Sequence, residues 1–228
     1  MLDTLAIVKT PNAARRLLPA ALWKVKTTEK TLYLTFDDGP IEEVTPHVLD
    51  LLERYGAKAT FFCIGRNIDQ NPGLFHRILS EGHSIGNHTQ DHLNGWQTGN
   101  EEYFQNVERC TATIRNVLEK AYSGSSEVAE PETREKMFFR PPYGKLSPMQ
   151  YNHIKKAYKI VLWDVLTFDF DLKGTKEQVF DNVKANATPG SVIVFHDSLK
   201  AMEKVLYALP RVLDHYTNLG FTFDSLPE

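Results

Sequence analysis

A chain of 228 residues can form one domain with a full core and is too short for two of ordinary size. Hydrophobic residues make up 42% and the formal net charge is −3, the composition of a globular protein without the field needed to gather nucleic acid. No apolar run approaches bilayer-crossing length, so no membrane span is expected.

Arg15-Arg16 followed by Leu17 to Trp23 has the outline of a signal peptide. The apolar run contains Pro19 and is closed by Lys24 without a small-residue cleavage site. The expectation is a cytoplasmic chain in which residues 1–30 form an extension packed on a domain spanning 31–228. Thr31–Phe36 then alternates and branches like a buried strand, and Gly39-Pro40 turns the chain. Between them stand Asp37 and Asp38. Side chains alternate at a strand end, so one carboxylate can face a metal while its neighbour faces a reacting water. Adjacent carboxylates repel unless a cation or hydrogen-bond donors separate their roles. The alternative is a solvated Asp-Gly turn.

Val44, Val48, Leu51, Leu52 and Tyr55 share one helical face, which should stop at Gly56. Ala59–Ile64 is the next strand candidate and contains Cys63; Cys110 falls in a helical segment. Two such positions make no disulfide framework, and buried free thiols are expected. Ser84–Gly86 precedes His88-Thr89-Gln90-Asp91-His92. Histidines four apart meet on one face of a helical turn and can chelate one divalent ion. Two imidazoles and an Asp oxygen supply three ligands and leave a position for water, the composition of a catalytic metal site. Trp96, just beyond, is either a stacking surface or a core residue.

Residues 121–136 contain Ser-Gly-Ser-Ser, Pro131 and several glutamates, and read as an exposed insertion. Further strand candidates are Met137–Phe139, leading into Arg140-Pro141-Pro142-Tyr143-Gly144, then Ile160–Asp164, then Val192–Phe195, ending at His196-Asp197. Val205, Leu206, Leu209, Val212, Leu213 and Tyr216 share a helical face before Gly220, and Thr222–Asp224 closes the series. Alternating strands and helices imply a parallel sheet with right-handed crossovers, either closed into a barrel or open and doubly wound. Asp37-Asp38, His88, Arg140 and His196 all follow the C-terminal ends of different strands, which share one rim in parallel α/β folds.

These motifs in this order resemble the NodB-homology polysaccharide deacetylases, carbohydrate esterase family 4. The resemblance runs from about Thr31 to about Phe223. It implies a distorted (β/α) barrel of about seven parallel strands and removal of N-acetyl, less readily O-acetyl, groups from an acetylated carbohydrate. It also implies one divalent metal held by Asp38, His88 and His92. Such a ligand set suits Zn²⁺ best, with Co²⁺, Ni²⁺ or Fe²⁺ able to substitute. In this pattern Asp37 is the general base and Arg140 orients it. The Tyr143 N–H donates to the oxyanion. His196 is the general acid, and its carboxylate partner falls at Asp169; Asp164, in the same segment, is either that partner or a capping residue. Pro142, Tyr143, Phe170, Val194 and Trp163 would line the substrate groove. Phe170 replaces a usual indole, Leu166 a frequent Asp and Val194 a common Leu, so a changed glycan preference is expected. A metal-dependent phosphoesterase and a non-catalytic carbohydrate-binding protein are the competing readings. The oligomeric state is left open.

Overall fold

The structure, a computed structural model, describes residues 7–122 and 136–227. The insertion expected near 121–136 therefore lies almost wholly outside the described residues. Seven strands are β1 (Thr31–Asp37), β2 (Ala59–Cys63), β3 (Ser84–Asn87), β4 (Phe138–Phe139), β5 (Lys159–Ile160), β6 (Val165–Leu166) and β7 (Val192–His196). They run in the order β5-β4-β3-β2-β1-β7-β6, every neighbouring pair parallel. An eighth, β8 (Thr222–Phe223), pairs with the start of β1. The distorted α/β barrel of about seven parallel strands expected from the sequence is present as a half-barrel, with β5 and β6 at its two edges.

Period-2 alternation along β1 sorts the two sides of the sheet. Leu32, Leu34 and Phe36 join the main core. There they meet Val48, Leu49 and Leu52 of α2 (Thr45–Arg54) and Val205, Leu209, Val212 and Leu213 of α8 (Met202–Asn218). Each such side chain contributes roughly 1.5–3 kcal/mol on full burial. Phe36 is in register with Phe61 and Phe195 on the flanking strands, and its ring stacks on both, at 5.0 and 5.9 Å. The intervening residues belong to the other face. Tyr33 joins a small cluster with Phe62, Phe138, Val161 and Val192, while Thr35 and Asp37 carry polar groups upward to the rim.

The expected strand Ile160–Asp164 is two short strands, β5 and β6, with residues 161–164 between them. The seam between these outermost strands is filled by the N-terminal segment. Leu22 N donates to Ile160 O and Leu162 N to Leu22 O, both at 2.8 Å. Thr10 N donates to Asp164 O and Leu166 N to Val8 O, both at 2.9 Å. A helix, α1 (Asn12–Leu17), lies between these contacts. The remaining helices are α3 (Gly65–Gln70), α4 (Pro72–Ser80), α5 (Asn100–Tyr122), α6 (Pro148–Ala157) and α7 (Lys176–Asn186). Among the described residues no helix is long and apolar enough to cross a membrane. Cys63 and Cys110 are buried free thiols, as expected.

Candidate active site

At the C-terminal rim, Asp37, Asp38, His88, His92 and His196 line one cavity of about 440 Å³. Its walls are Pro141, Tyr143, Lys145, Trp163, Leu166, Phe170, Val194, Ser198 and Lys200. Pro142 is buried in the turn Pro142–Gly144 and does not line the cavity; Pro141 is the proline that reaches it. An adjoining cavity of about 570 Å³ shares Tyr143, Trp163, Leu166 and Phe170, and Asp171 is the one carboxylate in its lining. The candidate metal and proton-transfer groups Asp37, Asp38, His88, His92 and His196 line the smaller cavity.

His88 and His92 are together, but on a loop after β3 and not on a helical turn. Asn87 Oδ1 accepts from Thr89 N at 2.8 Å, and Asn106 Oδ1 accepts from Asp91 N at 3.0 Å. These side chains take backbone donors in place of a helical ladder. Positive φ at Thr89 (63°) and His92 (58°) turns the chain so that both rings face Asp38. Asp38 (85°), Tyr143 (61°) and Phe168 (62°) are the other non-glycine residues with positive φ among those described. Asp38, His92 and Tyr143 line the cavity itself, where strain is held by surrounding packing.

Asp38 Oδ1 lies 3.2 Å from His92 Nε2 and 3.7 Å from His88 Nε2. It is buried and has no hydrogen-bond partner among the described residues. His88 Nδ1 donates to Arg140 O at 2.7 Å, which turns an unprotonated Nε2 towards Asp38. Burial lowers the His88 pKa to about 4, so the ring is neutral at pH 7. Burial alone would raise the Asp38 pKa, but contact with His92 and the nearby histidine charges hold it well below the carboxylate range. One ligand atom from each of the three lies within 4.8 Å of the others. Inward-facing acceptors around an unpartnered buried oxygen fit a divalent cation.

Asp37 is held separately. Arg140 is fully buried, with its guanidinium 4.0 Å over the Phe62 ring. Its Nη1 donates to Asp37 Oδ1 at 2.6 Å and to Thr35 Oγ1 at 2.7 Å. Its Nη2 donates to Leu162 O at 3.0 Å. Burial pulls the Arg140 pKa below its usual value, and the Asp37 charge opposes this. Thr35 was not singled out from the sequence, although its place two residues before Asp37 puts it on the same strand face.

Across the cavity, Asp169 Oδ1 accepts from His196 Nδ1 and Asp169 Oδ2 from His196 N, both at 2.7 Å. Burial would lower the His196 pKa, but the Asp169 charge and hydrogen bond raise it to about 9. The second acid of that segment, Asp164, lies elsewhere, bound to Lys9, Arg15 and the Ser191 hydroxyl beside the seam. Phe170 packs edge-on against His196 at 5.0 Å, and Tyr143 against His92 at 4.7 Å. Trp163 sits on Gly144, where a Cβ would come within 2.7 Å of the indole. Lys145, Ser198 and Lys200 were missed; Lys145 directly follows the Arg140–Gly144 motif and could have been found there.

Known proteins resemble this chain along most of its length. Residues 24–159 match the family described as polysaccharide deacetylase. A peptidoglycan-N-acetylglucosamine deacetylase of Bacillus cereus is 33% identical over 208 residues, covering 90% of this chain and 91% of that protein. A chitooligosaccharide deacetylase of Azorhizobium caulinodans is 30% identical over 216 residues, covering 90% and 96%. A crystal structure of a peptidoglycan N-acetylglucosamine deacetylase with an N-hydroxybenzamide ligand superposes with a TM-score of 0.80 at 30% identity, covering 96% and 95%. The chain belongs to the NodB-homology polysaccharide deacetylase family.

Proposed function

We propose that this protein is a metal-dependent hydrolase that removes N-acetyl groups from a carbohydrate. Asp38, His88 and His92 would hold one divalent cation, Zn²⁺ by preference. When bound, such an ion supplies Lewis acidity and lowers the pKa of water in its coordination sphere towards roughly 7. The chain's own groups supply the proton transfers. Asp37, held in place by Arg140, takes a proton from the water as its oxygen attacks the acetamide carbon. The Tyr143 N–H, set by the preceding prolines, donates to the oxyanion. His196, charged through Asp169, gives its Nε2 proton to the sugar nitrogen as the C–N bond breaks, leaving acetate and a free amine.

The observation that carries this reading is the division of labour within one cavity. A carboxylate paired with a buried arginine and an imidazole paired with a buried carboxylate both line it, beside a three-residue cation cradle. Two-metal phosphoryl transfer needs further bridging carboxylates. Among the described residues there is one cluster of metal-capable groups. The test is an acetate-release screen with metal-reconstituted protein over chitooligosaccharides, peptidoglycan fragments, acetylxylan and free or nucleotide-linked acetamido sugars. Acetate from an N-acetylated glycan is expected; release from none, with tight glycan binding, would make the protein a lectin-like binder.

A further inference from the structure

Trp96 is 69% exposed, yet its loop is tightly held. Trp96 Nε1 donates to Leu146 O at 3.1 Å and Trp96 N to Asn94 Oδ1 at 3.0 Å. The buried Gln150 amide donates to Gly95 O at 2.9 Å and to Thr98 O at 3.2 Å. A Cβ on Gly95 would come within 2.4 Å of Lys145 O, so the two loops pack backbone to backbone. The same Gln150 closes the capping box of α6 with Ser147. An indole presented to water by a loop fixed at this many points is a preorganised surface.

Lys145 joins that surface to the catalytic cavity. Its Nζ lies 5.1 Å from the Trp96 ring centre and 6.0 Å from that of Tyr143, and the residue lines the cavity itself. No carboxylate stands within ion-pair distance of it among the described residues. Acid groups in the cavity are elsewhere: Asp37 is bound to Arg140, and Asp38 faces the two histidines. An anion deep in the site would meet those charges, whereas one beside Trp96 and Tyr143 would meet the Lys145 ammonium, with Lys200 on the other wall. A single ammonium between aromatic faces suits a monoanion; a dianionic phosphate calls for a guanidinium fork or several donors.

We propose that Trp96 and Lys145 form a second glycan subsite, which takes a carboxylate-bearing sugar unit next to the acetylated one. The indole stacks on the sugar's C–H face, and Lys145 pairs with the carboxylate. This rests on the deacetylase reading and adds to it a preference for acidic glycans over neutral ones of equal length.

The test compares metal-reconstituted wild type with Lys145→Gln, Trp96→Ala and Lys200→Gln. Lys200 lies on the other wall, 5.5 Å over Phe170, and reports any general electrostatic effect. The substrates are three N-acetylated glycans of one length: carboxylates on the sugars, the same carboxylates amidated, and carboxylates only on an attached peptide. The expected result is that Lys145→Gln lowers the wild-type ratio of kcat/KM, sugar carboxylate over amidated, about tenfold and mainly through KM. Trp96→Ala should raise KM for both glycans. An equal loss on acidic and amidated glycans, or the same loss in Lys200→Gln, would overturn the proposal. A ratio that depends only on the peptide carboxylate would overturn its assignment to the sugar. Calorimetry with the deacetylated glycans reads the same preference without turnover. Absence of acetate from every glycan would therefore defeat the deacetylase reading while this preference could still be measured.

Discussion

Asp37 and His196 occupy the same register position on the neighbouring parallel strands β1 and β7. The acid and base candidates are thus adjacent in the sheet, yet each is tied to a different buried partner, Arg140 for one and Asp169 for the other. Parallel pairing places both at one rim, where Arg140 holds the one and the Asp169 charge raises the proton affinity of the other. An acid–base pair working on one bound substrate requires that asymmetry.

Replacing Asp37 with Asn should preserve the fold and the cation cradle, which Asp37 does not join. Turnover should fall by about 10²–10⁴, the usual contribution of a positioned general base. His88→Ala should lose metal as well as activity. Metal analysis beside acetate release distinguishes the two, and an Asp37→Asn protein of undiminished activity would remove Asp37 from the role of base.

The pH profile tests the other half. His196 acts as an acid only while protonated, and its pKa stands at about 9 because of Asp169. Activity should therefore fall as pH rises through that region. Asp169→Asn removes the charge that sustains the imidazolium, so the alkaline limb of kcat should move to lower pH. An unmoved limb in that variant would show that another group governs it.

Asp197 is a less obvious support. Its carboxyl accepts from Gly39 N at 3.0 Å and meets the Thr45 hydroxyl at 2.6 Å, holding the turn that follows Asp37-Asp38. Burial pushes its pKa up to about 8 from 3.8. Between these values the folded protein retains a proton that the unfolded chain has released, so this group's contribution makes stability decline as pH rises. Asp197→Asn should flatten that slope and keep the turn, because an amide can accept from Gly39 and donate to Thr45. Asp197→Ala should cost about 1–3 kcal/mol by orphaning a buried N–H and hydroxyl. Denaturant titrations at pH 5 and pH 8 measure both effects.

Much of the rim was legible because its signals are local. Alternation in Thr31–Phe36 and the Gly39-Pro40 stop mark β1, so Asp37 and Asp38 could be placed at a strand end from the sequence. His88 and His92 were recognisable by spacing, but their loop was not. Its shape depends on Asn106 of α5, which supplies a carbonyl and an amide oxygen to residues 90 and 91. The break at residues 161–164 was equally hidden. Backbone groups there pair with Thr10 and Leu22, far upstream, and short-range periodicity carries no trace of such partners.

That long-range pairing makes Asp164 the last test. Its side chain is fully buried, and it binds Lys9 at 2.7 Å, Arg15 and the Ser191 hydroxyl. Burial opposes its ionisation, but the bonds from Lys9 and Ser191 win and lower its pKa. The stability it confers is therefore present above the unfolded value of 3.8 and lost as pH falls through the lower folded value. Asp164→Ala deprives Lys9 and Arg15, both on the N-terminal segment, of the carboxylate they share. Breaking a buried pair in this way costs about 3–5 kcal/mol. Lys9 is partly exposed, which places the expected loss at the lower end of that range. Local opening should appear first as faster amide exchange at Thr10 and Leu166, whose N–H groups bridge segment and sheet. Unchanged exchange at both, with full stability, would show that backbone pairing holds the segment without Asp164.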